Sequence, residues 1–106
     1  MKKLETVKEN VSFRRAYHQG KNIVTPEMVV YWRRNRLGKT RLGITVSKKI
    51  GNSPQRNRAR RIIREAVWKH TDLLPAGCDI IVVARSRILQ AKSTDLEQII
   101  QHCFPV

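Results

Sequence analysis

Between Arg33 and Arg64 the chain carries twelve lysines and arginines and no aspartate or glutamate, a tighter constraint than any other feature of the sequence. Positive charge at that density repels itself in any compact state unless a polyanion relieves it. A helix that merely faces solvent interleaves acids and bases so that residues four apart pair. Here Arg56, Arg58, Arg60, Arg61 and Arg64 have no acidic neighbour before Glu65. The whole chain leans the same way, with 22 Lys plus Arg against 8 Asp plus Glu in 106 residues and a net charge of +14. Nucleic acid is the expected partner. An anionic membrane would need an apolar span of roughly 20 residues or a basic helix with a large apolar face, whereas the longest apolar run is Ile80 to Ala84.

A chain of this length has room for one modest core, so residues 1–106 are expected to form a single RNA-binding domain. Periodicity gives its elements. Asn10 or Ser12 is expected to cap a first helix, and Gly20 to end it in the left-handed conformation. Phe13, Ala16 and Tyr17 fall at i, i+3 and i+4, which puts two aromatics on one helix face. Met28, Val30 and Trp32 alternate with Val29, Tyr31 and Arg33, and Leu42, Ile44 and Val46 with Gly43, Thr45 and Ser47. Both are strands, and with Asn35 to Lys39 as a turn they are expected to form a hairpin.

Ser53 before Pro54 reads as the start of a second helix, with the stripe Ala59, Ile62, Ile63, Ala66 and Val67 facing a core and Asn57, Arg61, Arg64 and Trp68 opposite. Ile80 to Ala84 is apolar without alternation, as in a central strand covered on both faces and parallel to a neighbour. Thr94 and Glu97 suggest a capping box opening the last helix, whose Leu96, Ile99, Ile100 and Cys103 form another stripe. The order is αββαβα. It describes an α+β sandwich around a central, mostly antiparallel sheet that includes a parallel pair.

Arginine outnumbers lysine on the second helix, and the guanidinium fork matches phosphate oxygens in pairs and stacks on bases. The turn before it adds Lys48, Lys49 and the open amides of a helix N-terminus, which attract phosphate. Cys78 and Cys103 lie far apart and outside any C-x-x-C, so two reduced thiols are expected, without a disulfide framework or zinc ribbon. The N-terminus, with Lys2, Lys3, Glu5, Lys8 and Glu9, lacks the apolar stretch of a secretory signal, which fits a cytoplasmic location. Neither clustered carboxylates nor paired histidines are visible; His18, His70 and His102 fall on separate helices. No catalytic and no metal-binding residues are therefore assigned to the protein.

Gly43-Ile-Thr-Val-Ser-Lys-Lys-Ile-Gly-Asn52, followed by Arg56-Asn57-Arg58-Ala59-Arg60-Arg61-Ile62-Ile63-Arg64-Glu65-Ala66, resembles the signature of the ribonuclease P protein family. Phe13-x-x-x-Tyr17-x-x-Gly20 upstream and Ile81-Val-Val-Ala-Arg85 downstream fall where the family has their counterparts. The resemblance implies a subunit of a ribonucleoprotein in which RNA is the catalyst and the protein assists removal of the 5′ leader from precursor tRNA. It implies that Lys48, Lys49, Arg56, Asn57, Arg58, Arg60, Arg61 and Arg64 face the catalytic RNA. It also implies that Phe13, Tyr17, Tyr31, Ser47, Arg85 and Arg87 receive the leader, and that the crossover around the second helix is left-handed, against the usual rule. Mg²⁺ is then expected to be bound mainly by the RNA, and no protein partner is required. From the residues alone, Phe13 and Tyr17 remain open to two readings, a stacking surface for single strands or plain core. Trp32 reads as core and Trp68 as an RNA-contact candidate. A ribosomal-type RNA-binding protein would share the basic helix, and a helix-turn-helix DNA reader would need a helix just before Gly51.

Overall fold

In the computed structural model, which describes residues 4–104, one five-stranded sheet carries helices on both faces. In chain order the elements are β1 (Glu5–Thr6), α1 (Asn10–Gln19), β2 (Lys21–Val24), β3 (Met28–Arg34), β4 (Arg41–Thr45), α2 (Ser53–Lys69), β5 (Cys78–Ala84) and α3 (Ser93–Cys103). The spatial order is β1-β4-β5-β3-β2. β5 is central, as its unbroken apolar run requires, and lies parallel to β4 and antiparallel to β3.

The expected hairpin of β3 with β4 does not form, because β5 inserts between them. Alternation identifies a strand without naming its neighbour. The hairpin that does form joins β3 to β2, with Asn22 opposite Tyr31 and Ile23 opposite Val30. β2 and the two-residue β1 extend the expected order, and β1 adds a second parallel pair, on β4. The connection β4–α2–β5 links adjacent parallel strands and is the crossover whose hand the resemblance gives as left.

The two sheet faces divide the core. Met28, Val30, Leu42, Ile80 and Val82 pack under the stripe Ala59, Ile62, Ile63, Ala66 and Val67 of α2 and under Leu96 and Ile100 of α3. Trp32 joins this layer, edge-on to Phe104 with ring centroids 4.9 Å apart. The opposite face holds a smaller cluster of Val7, Ala16 and Ile81, with Phe13, Tyr17, Tyr31 and Val83 half-buried around it. Gly43 lets α1 come this close, since a Cβ there would stand 2.7 Å from Ile81 Cδ1 and 2.9 Å from Phe13 Cζ.

Several helix ends differ from expectation by a residue or more. The N-cap of α1 is Glu9, whose carboxylate accepts from Ser12 Oγ at 3.2 Å, so neither Asn10 nor Ser12 is the cap. Gly20 is extended (φ −83°) and not left-handed; a side chain there would run into the carbonyl oxygens of Ala16 and Trp32. Asn52 caps α2 in place of Ser53, because Gln55 stands where it completes a reciprocal box with Asn52. Asp95, not Glu97, reaches back at the start of α3, to the Lys92 N–H at 2.8 Å. The segment before Gly51 is a single 3-10 turn, Lys48–Ile50, following a strand, which removes the helix-turn-helix reading.

Candidate nucleic-acid interface

α2 buries its apolar stripe, so its remaining sides must carry the charge. Asn57, Arg61 and Arg64 are exposed along the ridge away from the core, with Arg56, Arg58 and Arg60 half-buried on its flanks. Lys48 and Lys49 are exposed in the preceding turn, which buried Ile50 fastens to the core. All eight residues lie on α2 or the turn that leads into it, but their engagements differ. Arg58 donates to the Ala91 carbonyl at 2.9 Å and ties α2 to the segment before α3. Arg56 reaches Ser53 Oγ at 3.0 Å and Arg60 reaches Asn57 Oδ1 at 3.1 Å. Arg61 stands 3.8 Å from Glu65, an exposed pair worth less than about 1 kcal/mol.

The helix N-terminus offers less to an anion than the sequence suggests. Asn52 Oδ1 already accepts from the Gln55 N–H at 3.0 Å, and Pro54 has none. The cationic side chains around it therefore supply most of the donors on this surface.

The second group of residues assembles on the α1 face. Tyr17 lies 5.0 Å from Tyr31 at an interplanar angle of 71° and 6.4 Å from Phe13. Its hydroxyl shares a 3.2 Å hydrogen bond with Thr45 Oγ1. Phe13, Tyr17 and Thr45 line an open groove with Asn10 and Arg14. Phe13 and Tyr17 both pack against the small cluster and also line the groove. Thr45 and Arg14 belong to this site without having been assigned to it. Thr45 shares its strand face with Gly43, but only the packing of α1 brings Tyr17 to it.

Ser47 and Arg85 follow the ends of adjacent parallel strands, two residues beyond the paired Thr45 and Val83, and so sit at one end of the sheet. Arg85 donates to the Thr25 carbonyl at 3.1 Å, so its guanidinium leans toward the β2–β3 turn. Arg87 is exposed on the 3-10 turn Ser86–Gln90.

One member of the basic segment has a different role altogether. Arg41 is buried and paired in fork geometry with Asp79, Nε to Oδ1 at 2.8 Å and Nη2 to Oδ2 at 2.9 Å. Its Nη1 donates to Glu9 at 3.1 Å, which fastens the first turn of α1 to the sheet. Asn35 Nδ2 adds a bond to Asp79 Oδ1 at 2.9 Å. Lys39 is likewise paired, with Glu5 at 2.7 Å.

No acid–base constellation accompanies these surfaces. His18 and His102 are exposed, and His70 pairs with Glu97 at 2.9 Å between α2 and α3. Among the described residues no three His, Cys, Asp or Glu side chains come together as a metal site, and no helix is long and apolar enough to cross a membrane.

The family model described as Ribonuclease P matches residues 1–105. The ribonuclease P protein component of Pelotomaculum thermopropionicum is 36% identical over 98 residues, covering 92% of this chain and 88% of that protein. That of Staphylococcus epidermidis is 37% identical over 107 residues, covering 100% and 92%. Among solved structures, the Staphylococcus aureus RNase P protein superposes with a TM-score of 0.81 at 35% identity, over 94% of this chain and 92% of that one. The Thermotoga maritima RNase P protein also gives 0.81, at 25% identity and 94% coverage of each.

Proposed function

The chain belongs to the ribonuclease P protein family as a protein component of that endoribonuclease, and from this premise we propose how it divides its surface between two RNAs. α2 and the Lys48–Ile50 turn hold the catalytic RNA, and the aromatic groove under α1 holds the 5′ leader of precursor tRNA. The observation that carries this reading is the placement of the two surfaces on opposite faces of one sheet. They meet at the end of β4, where Ser47 leads directly into Lys48 and Lys49. A leader lying along Tyr17 and Thr45 would then leave the groove beside the RNA held by the lysines.

Arginine forks on phosphates give affinity and a strong salt dependence. Aromatic rings beside arginines hold an unpaired strand with little sequence preference, because every base has a face to stack. Cleavage itself belongs to the RNA and its Mg²⁺, in the cytoplasm. Among the described residues no clustered ligands are on offer to the metal, and the protein acts by neutralising charge and gripping substrate. Reconstitution tests this division: adding the protein to the catalytic RNA should raise precursor cleavage several-fold at limiting Mg²⁺. Cleavage that stays the same there would overturn it.

The leader groove has its own test. Phe13→Leu with Tyr17→Leu keeps apolar bulk against Ile81 but removes both rings. With stacking worth roughly 1–3 kcal/mol per base, KM for leader-bearing precursor should rise by between about five- and a hundredfold. Affinity for the catalytic RNA and for mature tRNA should stay as it was. An unaltered KM in a folded double variant would place the leader elsewhere.

A further inference from the structure

We propose that the groove between the β1–β4 edge of the sheet and α2 receives one unstacked nucleotide of the catalytic RNA, its base against Trp68 and its phosphate on Arg60 and Arg64. The inference rests on the reading that α2 faces that RNA and adds a site to it.

Arg60, Arg64 and Trp68 recur at i, i+4 and i+8, so they align along one side of α2. That side faces Leu42 and Ile44 of β4 and Leu4 beside β1, and together these residues line a groove. Its lining combines aliphatic side chains, an indole and two guanidinium groups, with Thr6 beside them. No carboxylate is among its lining residues. Arg60 uses one of its five N–H donors on Asn57, which leaves its fork able to turn to an anion.

A nucleotide matches this lining part by part. The flat base suits an aromatic ring among aliphatic side chains, and the phosphate suits two arginines held beside it. Both tryptophans are half-buried against the core layer, but Trp32 meets Phe104 edge-on at 4.9 Å on the far side of the sheet's centre, whereas Trp68 lines this groove. Trp68 thus packs against the core layer and also presents surface to the groove. An acidic peptide could satisfy the arginines, but the neighbouring exposed Arg61 continues the cationic ridge as a track for a polyphosphate backbone.

Tryptophan emission of the intact protein, titrated separately with catalytic RNA and with leader-bearing precursor tRNA, reads this site directly. Stacking on Trp68 should quench part of the emission in saturable fashion with the catalytic RNA alone, and the quench should disappear in Trp68→Phe. Trp68→Leu, which loses the aromatic face, should bind the RNA between about five- and a hundredfold more weakly, while Trp68→Phe should bind within a few-fold of the parent. RNA binding without any quench in the unsubstituted protein overturns the inference and leaves the α2 assignment standing. Equal quenching by precursor tRNA alone overturns the assignment to the catalytic RNA. Absence of RNA binding overturns the α2 assignment and this inference with it.

Discussion

Changing Arg60, Arg61 and Arg64 together to alanine should weaken binding of the catalytic RNA on the order of a hundredfold at moderate salt and flatten its salt dependence. Each phosphate contact contributes roughly 0.7–0.9 to the slope of log affinity against log salt. Three lost contacts should therefore reduce that slope by about two to three. Filter binding across a salt series measures both numbers. The fold should survive, for the three side chains point away from the buried stripe Ala59, Ile62, Ile63, Ala66 and Val67. Alanine is also the best helix former, and its introduction removes repulsion among neighbours. A slope that stays at the parent value would show that the ridge of α2 does not touch phosphate. Arg58→Ala should behave differently, because its bond to the Ala91 carbonyl makes it part of the link between α2 and the start of α3.

That contrast marks what local sequence can and cannot disclose. The α2 stripe was legible in full, because a helix sets its buried face by a period contained within a few turns. The central position of β5 was legible too, from an apolar run that only a strand covered on both faces tolerates. The partner of β3 was not. Pairing is a non-local choice, and a turn such as Asn35–Lys39 fits a hairpin as well as it fits the passage to a strand two places away. β2 escaped notice because Lys21 and Asn22 hide a strand only four residues long. The cap of α2 moved by one residue because Asn52 and Ser53 can both cap, and Gln55 decides between them.

The site shows the same division. Helical spacing puts the ridge arginines on one helix side and Phe13 with Tyr17 on one face, as they stand in the structure, and the resemblance alone points to Tyr31, whose ring lies 5.0 Å from Tyr17. Thr45 became part of the groove only when α1 was laid across β4. Arg41 falls within the acid-free basic run, and nothing local shows that its partner Asp79 waits 38 residues further on. A charge run identifies a segment, and burial then takes individual members out of it.

Arg41→Met should therefore be the most destabilising single change among the basic residues. The Arg41 and Asp79 side chains are each 9% exposed, and removing one partner of a buried pair leaves the other charge uncompensated, at a cost of about 3–5 kcal/mol. Against a typical total of about 5–15 kcal/mol this is a large fraction, readable as a lower urea midpoint. Replacing both partners, as Arg41→Met with Asp79→Leu, should recover much of the loss.

The pH dependence separates this account from simple loss of packing. Burial by itself raises the Asp79 pKa, but hydrogen bonds from Arg41 and Asn35 and the positive charge of Arg41 outweigh it, holding the carboxyl below its ordinary value of 3.8. The folded state then binds the proton less readily than the unfolded one, so the contribution is complete above the ordinary value and fades as pH falls through the folded one. Without Arg41 the burial effect should prevail and raise the carboxyl, so the sign reverses: acidification should stabilise Arg41→Met relative to the parent across the pH range where the parent loses this contribution. Parallel pH profiles for the two proteins would show that Asp79 does not depend on Arg41 for its charge. The same arginine grips Glu9 at the head of α1, so its loss should also loosen the helix that bears Phe13 and Tyr17, and weaken leader binding in whatever fraction remains folded.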